Sequence, residues 1–312
     1  MKICLAGEGA MGRNHMRVLR AIQGVEVVTL AGGVEEDTRV FAEQYSIAHH
    51  ATDLQTCLAQ PGVEAVVLAT PSGVHSAQAE FALGLGKHVL VEIPISLNLG
   101  DARRLADLQA KTDRVCMVCH TRRFNPPHRE IFRRIRGGEF HLQHLVAETY
   151  FLRRENTNMF GRPRTWSDDL LWHHACHTVD LAHWLLQEQS FTVAAQRGPI
   201  DLHMGIPMDM SINLRSPSGC LVSLVISLNN EGRFGTGFRY IGEEATLFAR
   251  DNTLRDAEGR EIPLSGSGFD LQDREFFSAI AEQREPEASF ASVLPAMQTL
   301  DQLRLAMGDE IP

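Results

Sequence analysis

At 312 residues the chain is long enough for two domains, each with its own core. An apolar fraction of 44% and a charged fraction of 22% are those of a globular protein, and a net charge of −9 argues against a general nucleic-acid binder, which needs a basic face. The apolar run at the start is too short for a leader or a membrane span, so a cytoplasmic protein with no membrane partner is expected.

Ile3 to Ala6 reads as a buried strand that passes at once into Gly7-Glu8-Gly9-Ala10-Met11-Gly12 and then a helix from Asn14 to Leu19. A G-x-G-x-x-G loop between strand and helix predicts a dinucleotide site. Gly7 makes the tight turn, Gly9 admits the pyrophosphate to the backbone, and Gly12 lets helix and strand pack closely. Ala10, Met11 and Arg13 complete the expected cofactor-binding loop. Val25 to Ala31 is a second buried strand. An Asp or Glu at its end normally holds the ribose 2′-OH of NAD. Gly32 and Gly33 stand there instead, with Glu35 and Glu36 a little later. With no acid at that position to repel a 2′-phosphate, and Arg13 able to reach one, the expectation leans to NADP, with NAD also accommodated.

The alternation continues. Thr38 to Tyr45 and His50 to Leu58 read as helices and Ala65 to Ala69 as a strand; a helix opens at Thr70-Pro71 and runs to Leu83. His88 to Val91 is a strand, Asp101 to Lys111 a helix and Val115 to Cys119 a strand. Such spacing predicts an N-terminal Rossmann domain, a doubly wound parallel sheet over residues 1–120. Beyond it the pattern changes to half-buried strands at His144 to Leu152, Met208 to Leu214 and Cys220 to Leu228. Shorter ones follow near Arg239 to Ile241 and Ala245 to Ala249, then a hairpin region at Asn252 to Leu264. With a helix at Ile131 to Ile135 and closing helices at Leu271 to Gln283 and Ser289 to Met307, residues 121–312 are expected to form an α+β domain with a mostly antiparallel sheet. The six cysteines lie in apolar contexts and read as reduced core thiols, Cys116-Met117-Val118-Cys119 included, because residues three apart on a strand face opposite sides.

Several motifs together resemble the Gfo/Idh/MocA oxidoreductase family over nearly the whole chain. They are the glycine loop followed by His15, Thr70-Pro71 with His75, and Gly86-Lys87-His88-Val89 leading to Glu92-x-Pro94. Arg123-Phe124-Asn125-Pro126 and His177-Thr178-Val179-Asp180 complete the set. The resemblance implies an NAD(P)-dependent dehydrogenase in which Thr70, Pro71, His75, Glu92 and Pro94 join the cofactor site, and a homodimer or larger homo-oligomer. Two positions depart from the family. Ile93 stands where the family has its catalytic Lys, and His173 stands where it has an Asp. Glu92-Ile93-Pro94, the Cys116 to Pro126 run and the Leu170 to Asp180 run are similar to one branch, which acts on acidic products of aromatic-ring cleavage. That implies a small dicarboxylate substrate presented as a cyclic hemiacetal.

Oxidising a hemiacetal carbon requires a group to take up its hydroxyl proton, and imidazole suits that work near neutral pH. His173, His174 and His177 are therefore the candidate catalytic residues, with His177 at the family position. His173, His177 and Asp180 share a face if the segment is helical. The same cluster has a zinc-like spacing, but hydride transfer to nicotinamide needs no metal and none is expected. His120, Arg122 and Arg123, at the carboxyl edge of the parallel sheet, and Arg153 and Arg154 are the candidate carboxylate-binding residues. Asn229 and Asn230 could orient a carboxylate or the nicotinamide amide. Two alternatives stand beside this reading. One is another dehydrogenase of the family acting on a different cyclic hydroxy acid or sugar. The other is a non-catalytic NAD(P)-binding regulator, which the missing Lys would permit and the histidines argue against.

Overall fold

The computed structural model describes residues 1–158, 161–164, 169–232 and 234–308, so the last four residues of the expected second domain lie outside the described residues. The chain divides into two compact units, residues 1–120 with 269–294, and residues 121–268 with 295–312. No described helix is long and apolar enough to cross a membrane.

The described strands of the first unit are β1 (Lys2–Ala6), β2 (Glu26–Ala31), β3 (His49–Ala51), β4 (Val63–Leu68), β5 (His88–Val91) and β6 (Cys116–Val118). They lie in the order β3-β2-β1-β4-β5-β6, every neighbouring pair parallel. Ile3 to Ala6 and Ala65 to Leu68 are wholly buried, as a sheet covered on both faces requires. Between the strands run α1 (Ala10–Leu19), α2 (Glu35–Tyr45), α3 (Leu54–Leu58), α4 (His75–Gly84) and α5 (Leu99–Gln109). The strand order reverses between β1 and β4. Loops leaving those two strands therefore flank the crevice where sheets of this kind bind ligands. His49–Ala51, expected as the start of a helix, is instead the edge strand beside β2.

The second unit opens with α6 (Pro126–Arg136), longer than the expected Ile131–Ile135 because prolines at its first two positions are compatible with a helix start. Its sheet contains β7 (Leu142–Tyr150), β8 (Thr192–Arg197), β9 (Asp209–Arg215), β10 (Leu221–Ser227), β11 (Gly235–Gly242), β12 (Thr246–Arg250), β13 (Thr253–Arg255) and β14 (Glu261–Ile262). The order is β14-β13-β12-β11-β7-β10-β9-β8, antiparallel except where β7 meets β10. Strand β9 alternates buried Met210, Ile212 and Leu214 with exposed Ser211 and Asn213, so one face is core. A π-helix, Leu170–Ala175, runs straight into α7 (Cys176–Leu186).

Two helices close the chain, α8 (Gly268–Glu282) and α9 (Leu294–Ala306). Residues 269–294 pack with the first unit rather than with the second domain where the sequence places them. Two contacts fix this. Asp273 on α8 reaches His15, and the Ala288 carbonyl accepts the Val118 N–H at 2.8 Å, extending the edge beyond β6. Phe276 and Phe277 are accordingly core residues.

Candidate active site

In the first unit the glycine loop has the geometry its residues dictate. Gly7 has φ +109°, and a Cβ there would lie 2.3 Å from the Ala69 carbonyl oxygen. A Cβ on Gly12 would meet the Gly7 oxygen at 1.9 Å, so helix α1 can sit this close to the loop only with glycine. Gly9 is different. Nothing lies within 4 Å of its Cβ position, the open cradle a pyrophosphate requires. The first turn of α1 carries no acidic residue, and no side chain caps it, leaving its N–H groups for an anion. These residues fit NAD(P).

Behind the loop lies a buried ionic cluster. His15 is wholly inaccessible, with Nδ1 2.8 Å from Asp273 Oδ2 and Nε2 3.0 Å from Glu92 Oε1. Burial alone would lower its pKa, but the Asp273 charge and the hydrogen bonds outweigh that and raise it well above the usual histidine value. An imidazolium donating to both carboxylates satisfies the geometry. Glu92 thus leads the Glu92-Ile93-Pro94 turn from a fixed position. His75 braces the same turn from α4, its ring nitrogens 2.8 Å from the Pro94 and Thr70 carbonyl oxygens. Thr70, Pro71, His75, Glu92 and Pro94 therefore come together at the carboxyl edge of β4 and β5. His120 is buried just past β6. All six cysteines are buried thiols.

In the second unit the two adjacent arginines have opposite environments. Arg123 is buried and makes a two-pronged pair with Asp180 of α7, Nε to Oδ2 at 2.8 Å and Nη2 to Oδ1 at 2.5 Å. Asp180 is thereby paired with Arg123, and Arg123 holds its turn against α7. Arg122 has no carboxylate partner among the described residues. Its Nη1 donates to the Thr178 hydroxyl, its Nη2 to Thr236 Oγ1 at 3.2 Å, and its guanidinium carbon lies 4.9 Å from the centre of the Phe238 ring. Burial pushes its pKa down to about 10, outweighing the nearby Cys176, Tyr240 and Asp180, which act to raise it. Burial and the Arg122 charge push neighbouring His128 down to about 3, and its Nδ1 shares a hydrogen bond with the Tyr240 hydroxyl. A cavity of about 260 Å³ opens beside Arg122, lined also by Asn125, His128, Thr236, Phe238, Arg250 and Asp251.

The three candidate histidines are half-buried on the π-helix and the first turn of α7. Asp169 caps the π-helix, accepting the Leu171 and Trp172 N–H groups at 2.7 Å each. The Asp169 N–H donates to His173 Nδ1 at 2.9 Å. A ring that accepts at Nδ1 carries its proton at Nε2, so neutral His173 is a donor there and cannot take up a proton without giving up that bond. The π-turn also spaces its hydrogen bonds five residues apart, so the expected four-residue step from His173 to His177 falls short of a full turn. His177 immediately precedes Thr178, the residue that holds Arg122. The His174 ring lies 5.9 Å from that of Phe151, at the end of β7.

Arg153 and Arg154 follow on the same chain end. Arg153 donates its N–H to Leu228 O at 2.9 Å, and exposed Arg154 reaches Asn229 Oδ1 at 3.0 Å. Asn229 in turn donates to Asp209 at 2.6 Å, so it orients Arg154. Glu8, Asp169, Thr178, Thr236 and Asp273 are missing from the candidates drawn from sequence. Only Asp169 carried a usable signal, an acid immediately before the apolar run Leu170-Leu171-Trp172, the pattern of a helix cap.

Comparison with known proteins agrees with this arrangement. Residues 1–120 match the model of the oxidoreductase family with an NAD-binding Rossmann fold, and residues 126–268 match that of the bacterial oxidoreductase C-terminal region. The chain is 44% identical to 4-carboxy-2-hydroxymuconate-6-semialdehyde dehydrogenase of Sphingobium sp. (strain NBRC 103272 / SYK-6), over 98% of this chain and 99% of that one. Its fold is that of an oxidoreductase from Thermotoga maritima (TM-score 0.88, 17% identity, covering 100% of this chain and 98% of that one). It is also that of levoglucosan dehydrogenase in complex with NADH and levoglucosan (TM-score 0.85, 19% identity, covering 98% and 96%). Matched along both parts and nearly end to end with a dehydrogenase relative, the chain belongs to the Gfo/Idh/MocA oxidoreductases and is an NAD(P)-dependent dehydrogenase.

Proposed function

We propose that the chain oxidises the cyclic hemiacetal of 4-carboxy-2-hydroxymuconate-6-semialdehyde to 2-pyrone-4,6-dicarboxylate, a step of protocatechuate 4,5-cleavage, with residues 121–312 supplying most of the substrate site. The observation that carries the reading is Arg122, a half-buried guanidinium held by two neutral hydroxyls and beside a cavity. A half-buried cation whose own hydrogen bonds go to neutral hydroxyls favours an anionic ligand, and its planar fork suits a carboxylate. The 44% identity to the enzyme named for that semialdehyde supports the same substrate.

Bound NAD(P) supplies the hydride acceptor. The hemiacetal carbon gives up its hydrogen as hydride, the C–O bond becomes the lactone carbonyl, and the hydroxyl proton passes to a base. His177 is that base in this reading, with His174 beside it. His173 acts as a donor from Nε2, orienting the substrate oxygen. Arg122 grips one ring carboxylate, and Arg153 and Arg154 serve the second. Ile93 places an apolar side chain where a sugar-oxidising relative needs a Lys, which suits a flat, acidic ring.

The test mixes the purified protein with the ring-cleavage product of protocatechuate and either nucleotide, following near-ultraviolet absorbance and product mass. Reduction of the nucleotide with formation of the pyrone dicarboxylate is expected. Clear nucleotide binding with no turnover of this compound, but turnover of an inositol or another sugar, overturns the substrate assignment.

A further inference from the structure

The end of β2, where the fold normally places the acid that reads the adenosine ribose, cannot carry one at Gly32. A Cβ on that residue would lie 1.8 Å from Thr38 Oγ1, which is itself tied to the Val34 carbonyl at 2.7 Å. A carboxylate arrives by another route. Glu8, between the first two glycines of the loop, crosses to the turn after β2. Its Oε1 accepts the N–H groups of Gly33 and Val34 at 3.0 and 3.1 Å, and its Oε2 lies 3.2 Å from the Gly33 nitrogen. Val34 is the N-cap of α2, and no side chain of its own caps that helix. The N–H groups that could otherwise receive a 2′-phosphate are therefore already engaged by an anion.

The surrounding charge points the same way. Glu35, Glu36 and Asp37 occupy the first turn of α2, while Arg39 in the next turn pairs with Glu36 and Glu43 at 2.7 and 2.5 Å. Arg13, the cation expected to meet a 2′-phosphate, donates to Gln44 Oε1 at 2.7 Å and lies 5.2 Å from the Phe41 ring centre. Both partners belong to the far half of α2, roughly 10–15 Å along its axis from the Val34 cap.

We infer that Glu8 sets the nucleotide choice of this enzyme. Its carboxylate takes the place of the missing strand-end acid, accepting hydrogen bonds from the adenosine ribose hydroxyls of NAD and repelling the 2′-phosphate of NADP. This turns the preference toward NAD. It concerns only the nucleotide, so it stands or falls separately from the substrate assignment.

Calorimetric titration of the full chain with NAD+ and with NADP+, without substrate, reads the preference directly. NAD+ is expected to bind more tightly by on the order of tenfold or more, because like-charge juxtaposition is penalised. Glu8→Gln, which leaves a neutral acceptor and removes the charge, should tighten NADP+ by a comparable factor and weaken NAD+ by several-fold, since a hydrogen bond to a charged acceptor is the stronger. Should that variant fail to fold, added salt serves instead. Screening should narrow the ratio of the two affinities in the unaltered chain. Equal or tighter binding of NADP+ by the unaltered chain overturns the inference. So does a ratio that neither Glu8→Gln nor salt changes.

Discussion

His15 and Asp273, 258 residues apart in the chain, meet at 2.8 Å with both side chains fully buried. The pair ties the helix of the glycine loop to α8, and Glu92 on the other side of the ring extends the tie to the Glu92-Ile93-Pro94 turn. Breaking a buried charge pair leaves an uncompensated ion, a loss of about 3–5 kcal/mol. Asp273→Asn is expected to lower the melting temperature accordingly. The pH dependence follows from the raised pKa of His15. Such a group contributes its full stabilisation below its unfolded value, about 6.5, and loses it as pH rises through the folded value. The stability gap between the unaltered chain and Asp273→Asn should therefore shrink as pH rises from neutrality, measured by urea unfolding at a series of pH values. A gap independent of pH contradicts an imidazolium at position 15.

The loop glycines predict two distinct failures. Gly12→Ala forces a Cβ to within 1.9 Å of the Gly7 carbonyl, so the folded yield or the melting temperature should fall. Gly9→Val meets only open space in the protein. It should leave the melting temperature of the nucleotide-free protein within a few degrees and weaken nucleotide binding at least roughly tenfold, since the side chain fills the cradle. Thermal unfolding and calorimetry on both variants check the distinction.

Much of the first sheet is legible because parallel strands buried on both faces appear as unbroken apolar runs; His88–Val91 has the predicted bounds. His49–Ala51 escapes because three residues reading His-His-Ala hold no apolar pattern. Thr192–Arg197 escapes because an edge strand buries little of itself. The return of residues 269–294 to the first unit depends on a partner far back in the chain, which no local pattern encodes. Glu8 is hidden for a similar reason, since a loop residue between glycines has no period to betray its direction. Candidate residues fared likewise. Neighbouring Arg122 and Arg123 look alike in sequence, and only Asp180 separates their roles.

The histidines are separable by kinetics. His177→Asn removes the assigned base and should lower kcat by about 10²–10⁴-fold with little change in nucleotide affinity. His173→Asn removes a donor already fixed by the Asp169 N–H and should cost about tenfold or less, read mainly in KM. The reverse order of effects would move the proton acceptor from position 177 to position 173.

Substrate binding at Arg122 is open to direct measurement. With the protocatechuate ring-cleavage product as substrate and nucleotide saturating, Arg122→Gln should raise KM by roughly 10–100-fold, the worth of a hydrogen bond to a charged group. Its nucleotide affinity and melting temperature should stay near those of the unaltered chain. An unchanged KM in Arg122→Gln, with the unaltered enzyme turning over normally, would contradict the assignment of that guanidinium to the substrate carboxylate.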